Sequence, residues 1–226
     1  MTNLVTKYYT YCIMTKKQEL LLFIKRTKIC RSRDAERNGF TRSEIAALLK
    51  TNKIERLSRG LYRVAGGSVL PNQSYVEFAA RCPNAVICLL SALQFHAITT
   101  QLPRELWCAI KNTARAPKIP YPKLRIIRFV GKAYTEGIDI HGVNGIPIKV
   151  YSVAKTVADL FRFRNKIGLD VAMEALREAI RTKKATRDEI RKMAQLRGVY
   201  KIMRPYMEMD AASAGYHGNG YFGNGK

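Results

Sequence analysis

Acidic residues are what this sequence is shortest of. Its 226 residues hold 17 Asp and Glu against 40 Lys and Arg, a formal net charge of +23. That imbalance exceeds what solubility needs, and it points to a polyanionic partner: nucleic acid first, an anionic membrane surface second. Long apolar runs are also missing. The longest, AVICLLSAL at 85–93, suits a core and falls short of the ~20 residues that cross a bilayer. The opening MTNLVTKYYTYCIM places Lys7 and polar residues where a signal peptide needs an apolar stretch, so no export is expected. A cytoplasmic protein is expected instead, with Met14 as a second candidate start.

The residues of metal and redox chemistry are sparse. Five cysteines (Cys12, Cys30, Cys82, Cys88 and Cys108) are odd in number and scattered, without a C-x-x-C pair. They read as reduced, mostly buried thiols, and a disulfide frame or zinc site is excluded. The three histidines, His96, His141 and His217, stand far apart, with no metal-ligand spacing. His96 lies in the apolar LLSALQFHAI and reads as a hydrogen-bonded core histidine. AKTVAD contains Lys155-Thr156 but lacks the glycine loop that cradles phosphate. A metal-dependent nuclease needs an Asp on one strand and an acidic-x-Lys triplet on the next. Asp139 is available, but Pro147-Ile148-Lys149 offers a proline in place of the carboxylate. Neither a cofactor nor a catalytic residue is therefore expected. Asp159 and Arg162, three apart on a helix, read as an ion pair that orients it.

What is present gathers near the N-terminus. Between Lys16 and Arg63 there are 14 Lys and Arg against 5 Asp and Glu, a net +9. KKQELLLFIKRT places Leu20, Leu21, Phe23 and Ile24 on one helical side. A short helix is expected over Ser32–Asn38, with Ala35 as its core residue and Gly39 past its end. Thr41 and Glu44 form a capping box that starts a helix at Arg42. Ile45, Leu48 and Leu49 make its buried stripe and leave Arg42, Ser43, Ala46, Ala47 and Lys50 outward. In KIERLSRGLYRVAGG, the runs Ile54–Leu57 and Leu61–Val64 are joined by Ser58-Arg59-Gly60, with Arg56, Arg59 and Arg63 on or beside the turn.

Helix, short helix, turn, capped helix and charged hairpin make a winged helix-turn-helix. Its candidate DNA-binding residues are Thr41, Arg42, Ser43 and Lys50 on the helix and Arg56, Arg59 and Arg63 on the wing. An arginine in the first turn can donate two bonds to a guanine edge. Neutralised phosphates would make affinity fall with salt at a slope of ~0.9 per contact.

Beyond the turn-rich joint at Gly66-Gly67, VEFAARCP reads as a helix start and NAVICLLSALQFHAITTQLP as a buried strand running into a helix. RELWCAIK and KLRIIRFV read as strands, and GIDIHGVNGIPIKVY as a hairpin turning at Val143-Asn144-Gly145. From Val153 the period turns helical, with Ala154, Val157, Ala158 and Phe161 on one face. Further helices are expected near Asp170–Arg181, Thr186–Leu196 and Val199–Met209. Their basic residues, from Arg177 to Arg204, suggest a solvated face or a second track along DNA. The fold class is α+β: an N-terminal extension over 1–14, the winged helix over 15–67, a mixed domain with a helical C-terminal half over 75–209, and a flexible glycine-rich tail over 210–226.

Four segments carry a family likeness: ICRSRDAERNGFTRSEIAALLKTNKIERLSRGLYRVAG, VICLLSALQFHAITTQLP, YSVAKTVADLFRFRNKIGLDVAMEALREA and MRPYME. Over roughly residues 16–209 the chain resembles the AbiEi family of type IV antitoxins. RSRDAERNG is poorer in leucine than the corresponding helix of the family. The resemblance implies a winged helix reading operator DNA as inverted repeats, with Arg42–Thr51 as recognition helix and Ile54–Val64 as wing. It also implies repression of the chain's own operon and an AbiEii-like nucleotidyltransferase toxin, countered without a stable complex. The competing expectation is an interaction module whose basic surfaces grip an acidic partner directly. An RNA binder is disfavoured, because the aromatics form no stacking platform.

Overall fold

Thr15 starts the first helix. Its hydroxyl accepts from the Gln18 amide at 3.3 Å, and the Gln18 side chain accepts from the Thr15 amide at 2.8 Å. Two otherwise orphaned donors are satisfied at once. The computed structural model describes residues 14–66, 72–99, 102–143 and 145–215. Most of the N-terminal extension, Cys12, the joint from Gly67, the central Asn144 of the hairpin turn, His217 and the chain past Gly215 lie outside the described residues. The described residues divide into two compact units: those up to Pro83 with 141–148, and 84–140 with 149–215.

In the first unit, helix α1 (Lys16–Thr27) buries Leu20 and Ile24, one helical turn apart. Strand β1 (Cys30–Arg31), helix α2 (Ser32–Arg37) and helix α3 (Arg42–Lys50) follow, then strands β2 (Ile54–Ser58) and β3 (Leu61–Val64). Leu20, Ile24, Cys30, Ala35, Phe40, Ile45, Leu48, Ile54 and Tyr62 form one core. Helix α2 contributes only Ala35. Phe40 in the turn joins this core, its ring 5.6 Å from that of Phe23. Burying side chains of this size contributes about 1.5–3 kcal/mol each.

The expected hairpin is part of a three-stranded sheet of order β1-β3-β2. Cys30 pairs with Tyr62 and Arg31 with Leu61. The turn is one residue tighter than expected. Ser58 lies in β2, buried and paired with Leu61, because the register slips between Arg56 and Ser58. Gly60, at φ +74°, closes the turn, and its carbonyl accepts from the Ser32 amide at 3.0 Å. A Cβ there would stand 3.3 Å from Ser32 Oγ, so glycine serves both backbone shape and close approach. Helix α4 (Gln73–Arg81) completes this unit.

The larger sheet has the order β6-β5-β4-β8-β7, formed by β4 (Val86–Ile87), β5 (Leu106–Lys111), β6 (Leu124–Phe129), β7 (Ile138–Val143) and β8 (Ile146–Tyr151). β5 and β6 run parallel in unbroken register from Leu106↔Leu124 to Lys111↔Phe129. β4 is antiparallel to β5 and parallel to β8. The helices of the second unit are α5 (Leu89–Phe95), α6 (Lys132–Thr135), α7 (Val153–Arg162), α8 (Arg164–Ile167), α9 (Leu169–Arg181), α10 (Arg187–Leu196) and α11 (Tyr200–Gly215). The one-turn helices α6 and α8 are additions to the sequence-based reading. The expected tail region is helical as far as Gly215.

Helix α7 packs against α5, α9 and α10, and every residue from Val153 to Phe161 is buried. Its apolar face meets the core as expected. Its other side is buried too, and there the expectation fails. Asp159 pairs with Lys155 and Arg197 instead of Arg162. Asp159 and Lys155 have no exposed side-chain surface, whereas Arg162 faces solvent. The Lys155 ammonium lies 4.0 Å from the Tyr151 ring centre and 4.7 Å from that of Phe129, and the Arg197 guanidinium also stands 4.7 Å from Phe129. Burial pulls the Lys155 ammonium below the ordinary lysine value, and Asp159 opposes that pull. Burial likewise raises the Tyr151 phenol, which donates to the Tyr134 carbonyl at 2.9 Å. His96 is half-buried, with Nε2 2.8 Å from the Tyr151 carbonyl. Cys30, Cys82, Cys88 and Cys108 are buried and form no disulfide among the described residues.

Removing one member of a buried ion group leaves uncompensated charge, at a cost of about 3–5 kcal/mol. Asp159→Asn should therefore lower unfolding free energy by that amount in urea titration, whereas Arg162→Ala should change it by less than about 0.5 kcal/mol, as exposed positions do. The opposite ranking would restore Arg162 as the partner.

Candidate nucleic-acid interface

Helix α3 is positioned by its cap. The Thr41 hydroxyl accepts from the Glu44 amide at 3.3 Å, the Glu44 carboxylate accepts from the Thr41 amide at 2.7 Å, and Ser43 Oγ lies 2.9 Å from the Thr41 hydroxyl. The Thr41 amide holds the Glu44 carboxyl below its ordinary value. Thr41 thus acts first as a cap, a role worth about 1 kcal/mol of helix stability. The apolar stripe packs inward, with Ile45 and Leu48 buried and Leu49 partly so. Arg42, Ser43, Ala46 and Lys50 are exposed, and Ala47 is half-buried.

Arg42 has a partner. Its Nε donates to Glu36 on α2 at 2.6 Å, and its side chain remains 85% exposed. This bond raises its guanidinium above the ordinary arginine value, and the nearby Tyr62 phenol adds to the effect. An ion pair so open to water is weak and screened by salt, so a phosphate or base edge can replace the carboxylate.

Tyr62 also receives the wing. The Arg56 guanidinium lies 5.7 Å from its ring centre, and Nη2 donates to its hydroxyl at 3.4 Å. Arg56 of the ribbon therefore rests on the Tyr62 ring, with Arg59 exposed at the turn beyond. Among the described residues, neither Arg59 nor Lys50 has an ion-pair partner.

Arg63 is placed differently from Arg56 and Arg59. Arg56 pairs across the ribbon with Tyr62, and the adjacent pair is Glu55 with Arg63. Alternation along a strand puts Arg56 and Arg63 on opposite faces. Arg63 Nε donates to Glu55, and Nη1 donates to Gln73 of α4 at 3.0 Å, while Gln73 donates onward to Glu77 at 2.8 Å. Only 15% of the Arg63 side chain is exposed.

Arg31 escaped sequence reasoning. It lies on β1 beside Leu61, and its Nε is buried with no hydrogen-bond partner among the described residues. A two-residue strand has no periodicity to reveal it.

The expected basic track on the C-terminal helices is partly compensated. Arg181 pairs with Glu178, Arg191 with Asp188, Arg204 with Glu208 and Arg197 with Asp159. Lys184 donates to the carbonyls of His96 and Ala97, and Arg187 to that of Met207. Among the described residues, no group of three or more His, Cys, Asp or Glu could hold a metal ion, and no helix is long and apolar enough to cross a membrane.

In fold, the chain is similar to the crystal structure of the RV2827C protein from Mycobacterium tuberculosis. The match has a TM-score of 0.53 at 13% identity and covers 81% of this chain and 72% of that one. At that identity the likeness is one of fold alone. No curated protein matches the chain. Residues 18–65, from α1 through the arginine ribbon, match the family described as transcriptional regulator, AbiEi antitoxin. The match covers 48 of the chain's 226 residues, and over that segment the chain is similar to this family of transcriptional regulators.

Proposed function

We propose that this chain is a DNA-binding antitoxin that represses its own operon and counteracts a nucleotidyltransferase-like toxin encoded beside it. Arg42, Ser43 and Lys50 enter the major groove, and Arg56 and Arg59 lie on the flanking phosphates or minor groove. Thr41 sets the pitch of the helix, and Arg63 braces the ribbon from its other face. The observation that supports this reading is the run of exposed cations on two consecutive elements, Arg42 and Lys50 on α3 and Arg56 and Arg59 on the ribbon. Exposed cations arrayed on neighbouring elements suit a polyanion that neutralises them. The match of residues 18–65 to a transcriptional-regulator family supports the same reading.

The test is binding of the full chain to its own upstream region, followed by fluorescence anisotropy across a salt series. Arg42→Ala should reduce discrimination against a mismatched operator by roughly ten- to hundredfold. Glu36→Gln frees Arg42 from its carboxylate and should tighten binding at low salt. Arg59→Ala should weaken all DNA alike and flatten the log–log salt slope by about 0.9. An unchanged slope in Arg59→Ala would remove the wing from the interface. On the toxin side, co-expression with the neighbouring gene product should rescue growth while the two proteins separate on purification. A complex that survives high salt would instead make the antitoxin a direct binder.

A further inference from the structure

In the second unit, the end of β6, the junction of α7 with α8, and the segment after α10 enclose a cleft of about 590 Å³. Arg128, Arg162, Lys166 and Arg197 line it, with Phe129 and Phe163 between them, and no carboxylate is among its lining residues. Behind its wall stands the buried group of Lys155, Asp159 and Arg197. Counted with that group, five cations (Arg128, Lys155, Arg162, Lys166 and Arg197) face one carboxylate, a local net charge of +4.

Two of these cations are held in place. Arg197 is fixed by Asp159, and Arg128 donates through Nη1 to the carbonyls of Asn112 at 2.7 Å and Ala114 at 2.8 Å. A guanidinium has five N–H donors, so Arg128 retains others for a ligand. Arg162 and Lys166 are exposed, and neither has an ion-pair partner among the described residues. One cation at the end of a helix is ordinary, because it meets the negative end of the dipole. Four around one concavity repel one another, and an anion seated among them relieves that repulsion.

We propose that this cleft is a binding site for a small oligophosphate ligand of nucleotide size. Arg162 and Lys166 take one end of the phosphate chain, the fixed Arg128 and Arg197 the other, and the half-buried Phe163 forms an apolar wall for a planar base. The volume falls within the ~300–1,000 Å³ of small-ligand clefts. The site is built from other residues than the α3 and ribbon surface and does not depend on the DNA reading.

The experiment is calorimetric titration of the full-length chain with ATP and, separately, with inorganic tripolyphosphate, against sodium sulfate at matched ionic strength. Saturable binding of one ligand per chain is expected. The double variant Arg162→Ala/Lys166→Ala, at two exposed positions, should keep the parent circular dichroism and bind about tenfold or more weakly, as loss of charge-assisted bonds implies. Arg59→Ala should bind as the parent does. Tighter binding of ATP than of tripolyphosphate identifies a nucleotide, and equal binding identifies the free oligophosphate; either supports the site. Four results would overturn it: no saturable binding, displacement by sulfate alone, a double variant that binds like the parent, or competition by a random-sequence duplex in the Arg59→Ala background, which would make the cleft part of a DNA track.

Discussion

Seventeen carboxylates have to serve forty cations in this chain, and their placement decides which cations belong to the fold and which remain for a partner. Asp159 is the extreme case: one buried carboxylate holds two cations of the second unit, Lys155 from its own helix and Arg197 from the far end of α10. Glu55 holds Arg63 within the ribbon, and Glu36 holds Arg42 at the surface. The same chemical pairing has different consequences in these places. Burial removes the water that would stabilise a lone charge, so the Asp159 group cannot be dissected without penalty. Exposure keeps that water, so the Glu36–Arg42 pair is exchangeable.

Cations left without a carboxylate are available to anions where they gather. On α3 and the ribbon they include Lys50 and Arg59, with Arg56 held by Tyr62 and Arg42 only loosely by Glu36. In the second unit they include Arg162 and Lys166, beside a cleft where Arg128 and Arg197 are already fixed. The two places differ in kind. Exposed side chains on a short helix and a β-ribbon suit an extended polyanion, which meets many charges at once. A concavity with phenylalanine between its arginines suits one small anion with an apolar end.

Much of the fold was legible. The capping box of Thr41 and Glu44, the arginine ribbon, the strands over Leu106–Lys111 and Leu124–Phe129, and the helix from Val153 all rest on local rules of spacing and turn chemistry. What stayed hidden depends on distant residues. Strand β1 is two residues long and exists because Tyr62 and Leu61 lie beside it. The parallel pairing of β5 with β6 leaves no trace in either strand's own pattern. Arg63 read as one more wing arginine until Gln73, ten positions on, proved to be its second partner.

Sequence alone determined the excess of positive charge, the capped helix followed by a basic ribbon, and the switch from strand to helix at Val153, because composition, capping and periodicity act within a few residues of one another. Tertiary structure alone decided which of those charges are free. Asp159 lies three residues from Arg162 in the chain but pairs with Arg197, thirty-eight residues away. The physical reason is direction: a side chain on the buried side of α7 can meet only what the fold packs against that side, and Arg162 points to water.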